Sequence, residues 1–101
     1  MFIGNAFSLS MVAPFATIKV SPLTAEEVSE IESLESAMGH ADTAFLVGTR
    51  IGHEMPANRT NIVLKSGEKM IVAQYIGPRL PEGAKELPNG ARIEFRLVEV
   101  A

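Results

Sequence analysis

No cysteine occurs in this chain. A disulfide framework, a thiolate metal site and a cysteine nucleophile are therefore excluded, and the composition accords with a reducing compartment. Histidine is nearly as scarce: His40 and His53 are the only two, and they do not form a His-x-x-x-His pair. No carboxylate cluster offers oxygen ligands at loop spacing, so neither a metal nor a cofactor is expected. There is no Gly-x-x-x-x-Gly-Lys phosphate loop and no Gly-x-Ser-x-Gly elbow. Tryptophan is absent, and no apolar stretch approaches the ~20 residues that span a membrane. The first residues, Met1 to Ser8, lack the basic start and apolar run of a secretion signal, which makes a cytoplasmic location the expectation. If the protein is an enzyme, metal-free acid–base chemistry is what remains.

The 101 residues suit one domain, residues 1–101. At this size about two-thirds of the unfolded chain's surface can be buried, and association into a dimer would enlarge a thin core. The net charge is −3 and unevenly spread. Residues 1–49 carry Lys19 against six acidic side chains, whereas residues 50–101 carry eight basic and six acidic ones. An acidic chain is poorly suited to a stable duplex DNA partner, because that binding is built from many phosphate contacts. A small anion held by a few convergent groups stays open.

Phe2 to Phe7 reads as a strand, and Ala16 to Val20 as a second. Thr24-Ala25-Glu26-Glu27 has capping-box spacing, and Val28, Ile31 and Leu34 follow at helical intervals, which predicts a helix running to about Met38. A second helix is predicted from His40 or Ala41 to Ile51, stopped by Gly52. Thr60–Lys65, a Ser66-Gly67-Glu68 turn and Lys69–Tyr75 read as a β-hairpin. Ala91, Ile93, Phe95 and Leu97 alternate with Arg92, Glu94 and Arg96, giving a last strand with one buried face. The fold class implied is α/β: a single domain with a mixed sheet and helices packed on it.

Chemistry concentrates in a few places. Gly77-Pro78-Arg79-Leu80-Pro81-Glu82-Gly83 holds a guanidinium and a carboxylate on a loop stiffened by two prolines. The segment is either a site of fixed geometry or a turn with an incidental ion pair. His40 follows Gly39 at a helix start, where it either caps the helix or serves as general acid or base on a phosphodiester. His53, just past the helix stop, reads as a surface residue. Asn5 and Ser8 end the first strand, and Asn58-Arg59 precedes the hairpin; each pair suits phosphate, a base edge or a loop cap.

In combination these features are more specific. Asn5-Ala6-Phe7-Ser8, Gly39-His40 with Asp42-Thr43, Asn58-Arg59, Gln74 and Arg79-Leu80-Pro81-Glu82-Gly83 follow one another in that order. Over nearly the whole chain the sequence resembles the viral anti-CRISPR ring nucleases and their small relatives in archaeal viruses, phages and bacteria. The resemblance implies a homodimer that binds cyclic tetraadenylate, the second messenger of type III CRISPR immunity, and cuts it to linear diadenylate without metal. It implies that His40, Arg79 and Glu82 are catalytic, with Asn5, Ser8, Gly39, Arg59 and Gln74 around the substrate. In that chemistry the ribose 2′-hydroxyl is the nucleophile and His40 the general acid, while Arg79 steadies phosphorane charge. Glu82 either orients a neighbour or takes the 2′-proton. The alternative is a non-catalytic sponge for the ring, or a regulatory protein on nucleic acid.

Overall fold

A computed structural model describes all residues, Met1–Ala101. Its centre is the antiparallel pair of β4 (Lys69–Ile76) and β5 (Arg92–Val100), in register from Lys69 opposite Glu99 to Ile76 opposite Arg92. β2 (Ile18–Leu23) pairs antiparallel with β5. On the other side β1 (Phe2–Gly4) runs parallel to β4, and β3 (Glu35–Ser36) runs parallel to β1. The result is a mixed five-stranded sheet of order β2-β5-β4-β1-β3.

The period-2 pattern sends alternate side chains to opposite faces. Ile3, Ile71, Ala73 and Phe95 meet Val28, Ala44, Val47 and Ile51 of α1 (Ala25–Ser29) and α2 (Ala41–Ile51) in the larger core. Met70, Val98 and Val100 face the other way, where Ile62 and Leu64 cover them together with Phe7, Met11 and Val12. The last strand therefore buries residues on both faces, not on one as its alternation suggested. At the sheet edge the Ala101 amide donates to the Thr17 carbonyl at 2.9 Å. By alternation along β2, Pro22 then turns its missing N–H to the open edge, where it disturbs no ladder. No helix is long and apolar enough to cross a membrane.

Two further expectations are corrected. The first helix has its capping box, with Glu27 N–H donating to Thr24 Oγ1 at 3.1 Å and Thr24 N–H to Glu27 Oε1 at 2.9 Å. It nevertheless stops at Ser29 rather than near Met38. The residues beyond turn back as β3, where the Glu35 amide donates to the Met1 carbonyl and the Ala37 amide to the Ile3 carbonyl, both at 2.9 Å. Ile31 and Leu34 still reach the core, but from irregular chain. The hairpin is the second correction. Its Lys65–Glu68 turn forms, but residues 60–65 contribute only a single bridge, Leu64 to Val12. Ile62 and Leu64 alternate because they lie over the sheet, not because they pair within it.

α2 ends as its sequence predicts, at Gly52 with φ 74°. One turn earlier, Gly48 meets the returning chain so closely that a Cβ there would lie 2.5 Å from the His53 carbonyl oxygen and 3.2 Å from the Met55 amide nitrogen. Gly48→Ala is therefore expected to destabilise the fold by about 1–3 kcal/mol, as overpacking against backbone does. Thermal unfolding should show a melting point lower by several degrees. An unchanged melting point would contradict the close approach.

Candidate functional site

Where β4 ends and α2 begins, an open cleft of about 960 Å³ forms. His40, Asp42 and Thr43 come from the helix start, Tyr75 from β4, and Gly77, Arg79, Pro81 and Glu82 from the loop that follows. The fold thus brings His40 to the same concavity as Arg79 and Glu82, which share a loop far along the chain.

His40 is the N-cap of α2. Its Nδ1 accepts from the Thr43 amide at 3.3 Å and lies at the same distance from Thr43 Oγ1. An amide can only donate, so while this bond is made the neutral ring carries its N–H on Nε2; in the imidazolium, Nδ1–H has Thr43 Oγ1 as an acceptor. Nε2–H has no intramolecular partner and belongs to an exposed residue lining the cleft. Of the two readings of this histidine, the capping one is realised, and it leaves the second nitrogen free for a ligand.

The loop opposite is held at both ends. The Tyr75 hydroxyl donates to the Pro78 carbonyl, and the Gly83 amide donates to Asp42 Oδ2 at 3.0 Å. At its entry Gly77 packs on Ala91, and a Cβ there would lie 2.7 Å from the Ala91 Cβ. Between these points Arg79 and Glu82 are exposed and take no part in the ion pairs of the molecule, which join Arg50 to Glu26 and Glu94 to Arg92 and Arg96. The incidental Arg79–Glu82 pair is thus not formed, and both charged groups are available.

Gly39, Asn5 and Arg59 assemble beside His40. The Gly39 amide donates to Asn5 Oδ1 at 3.3 Å, and the Arg59 guanidinium lies over Gly39, with Nε 3.3 Å from where a Cβ would sit. Gln74 points to the opposite sheet face from Tyr75. There it lines a second cleft of about 340 Å³ with Asn5, Phe7, Val20, Val72 and Arg96. Asn5 therefore stands between the two concavities. Arg96 is already engaged with Glu94, at 2.9 Å. The Glu94 carboxyl is held below its ordinary value chiefly by the Arg92 hydrogen bond, then by the charges of Arg92 and Arg96, against an opposing desolvation. Ser8 joins neither cleft. Its Oγ caps the single 3₁₀ turn Leu9–Met11 by accepting from the Ser10 amide at 3.3 Å. His53 is not on the surface as expected; it is half-buried, with Nε2 2.8 Å from the Ser29 carbonyl, and ties α2 to α1.

Tyr75 and Asp42 were given no role by the sequence. The signal for Tyr75 was its position as the chain's one tyrosine, immediately before the Gly-Pro loop. For Asp42, nothing local announces a partner 41 residues away.

Comparison with known proteins gives two findings. A family model described as STIV B116-like matches residues 1–96. Among solved structures, B116 of Sulfolobus turreted icosahedral virus superposes with a TM-score of 0.79 at 30% identity, with 97% of each chain covered. No curated protein matches this chain.

Proposed function

The chain belongs to the STIV B116-like family, and from its cleft we propose that it is a ring nuclease that binds and cuts cyclic tetraadenylate. The observation that carries this reading is the convergence of His40, Arg79 and Glu82 on one open cleft, with Nε2–H, guanidinium and carboxylate all free of ion pairs. RNA brings its own nucleophile. The ribose 2′-oxygen bonds to phosphorus, the bond from phosphorus to the 5′-oxygen breaks, and the 2′-proton is lost to a base. The imidazolium form of His40, with Nδ1–H facing Thr43 Oγ1, supplies its Nε2 proton to the departing 5′-oxygen and is left neutral. Arg79 takes two non-bridging oxygens, for which a planar guanidinium is suited. Glu82 receives the 2′-proton or orients Arg79. Two such cuts convert the ring into two linear diadenylates, each with a 2′,3′-cyclic phosphate and a 5′-hydroxyl.

A two-fold ring suits an isologous pair of subunits, so we place one ring across a homodimer, each subunit offering one His40. Asn5, Gly39, Arg59 and Gln74 then stand around the substrate. Ser8, as a cap of the 3₁₀ turn, would have to reach it with that turn. Silencing of type III CRISPR effectors follows from removal of their activator.

A second reading, a binder of the ring that does not cut it, is favoured by the capping bond that already engages His40 Nδ1. Incubation with labelled ring separates the two. Linear product should form at an unchanged rate in excess EDTA, since no group in the proposed chemistry needs a metal. Loss of turnover in EDTA with recovery in magnesium or manganese would overturn the scheme, and tight binding without product would favour the binder.

A further inference from the structure

The bond between the Gly83 amide and Asp42 Oδ2, 3.0 Å long, is the one hydrogen bond linking the loop after β4 to α2. Its two ends are placed tellingly. Asp42 stands two residues after His40 in the first turn of the helix, and Gly83 directly follows Glu82. The other tether, from the Tyr75 hydroxyl to the Pro78 carbonyl, lies within the strand and its own loop and fixes nothing relative to His40. Release of Asp42 would leave Arg79 and Glu82 on a segment held only at its entry.

The geometry points to Asp42 as a positioning residue, a latch that fixes the Arg79–Glu82 loop across the cleft from His40. Its catalytic consequence rests on the ring-cleavage reading; its geometry does not. A carboxylate in a first helical turn also favours the helix by its charge alone. The latch differs in what it requires, namely an acceptor oxygen rather than a charge. Asparagine keeps an acceptor oxygen at that position and loses the charge, whereas alanine loses both.

The test compares Asp42→Ala and Asp42→Asn with the wild-type chain by amide hydrogen exchange at Gly83 and by steady-state cleavage of cyclic tetraadenylate. Asp42→Ala should speed Gly83 exchange by about tenfold, as loss of one hydrogen bond to a charged acceptor does. It should lower kcat by about tenfold while KM changes less, because the groups remain present but are no longer aligned. Asp42→Asn should stay within about threefold of wild type in both readouts. Equal Gly83 exchange in wild type and Asp42→Ala, or an Asp42→Asn as impaired as Asp42→Ala, would overturn the latch. If the wild-type protein leaves the ring uncut, the catalytic reading falls by itself, and the Gly83 exchange rates still decide for or against the latch.

Discussion

Replacing His40 by alanine is expected to slow ring cleavage by on the order of 10²–10⁴, the usual loss when a positioned proton donor is removed. The same change deletes the N-cap of α2, which costs about 0.5–2 kcal/mol of stability. The two effects must be separated, because in the proposed reaction His40 caps with one nitrogen and gives a proton from the other. Asparagine separates them. Its side-chain oxygen is among the favoured caps and can accept from the Thr43 amide in place of Nδ1, yet it places no imidazole N–H in the cleft. His40→Asn should therefore keep a near-native melting point and ring affinity while cutting as poorly as His40→Ala. Cleavage at the wild-type rate in His40→Asn would remove the histidine from the chemistry and leave it as a cap only.

Arg79→Ala is expected to weaken both binding and cutting, by on the order of tenfold or more in each, since in the proposed reaction one guanidinium contacts phosphate before and during turnover. The structural motive is that Arg79 has no intramolecular ion pair to lose, so its removal leaves no buried charge behind. Thermal stability should stay within the small range of exposed substitutions, about 0.5 kcal/mol. Lysine should restore binding in part but not turnover, because an ammonium cannot make the planar two-point contact. Calorimetry on the wild-type protein should give one ring per two chains. Binding and turnover unchanged in Arg79→Ala would exclude the loop from the site. One ring per single chain would end the shared-ring arrangement without touching the role of His40.

What the sequence made legible follows from how local each signal is. α2 could be read almost to the residue because its periodicity, its start after Gly39 and its stop at Gly52 lie within the helix itself. The mixed sheet could be read as a class, since β4 and β5 are long, the first around a continuous apolar run and the second alternating apolar with charged residues. The helix expected to reach Met38 was overextended because Ile31 and Leu34 are spaced as a helix would space them. What ends it is the parallel pairing of Glu35 and Ser36 with Phe2 and Ile3, a contact no local pattern encodes. The false hairpin has the same origin. Alternation at Ile62 and Leu64 reports burial on alternate sides, and a segment covering a sheet produces it as readily as a strand within one.

For the candidate site, residue types were legible and their grouping was not. His40, Arg79 and Glu82 carry chemistry in their side chains and stand beside glycine or proline, which drew attention to them. The resemblance sets Gln74 beside the same substrate, yet strand alternation turns it to the sheet face opposite Tyr75. Contact with one ring then requires a substrate that passes over the sheet end, beside Asn5. Asp42 was invisible as a latch because its partner is supplied by the tertiary fold alone.

In the proposed reaction the ring is opened by its own 2′-hydroxyl, with the cleft supplying proton and charge. Cleavage in water enriched in ¹⁸O, with the products weighed by mass spectrometry at the earliest times, tests it most directly. Transesterification places no solvent oxygen in the product, so the first linear diadenylate should carry a 2′,3′-cyclic phosphate and no ¹⁸O. A first product bearing one ¹⁸O on a terminal phosphate would mean that water attacks phosphorus, and would rule that reaction out.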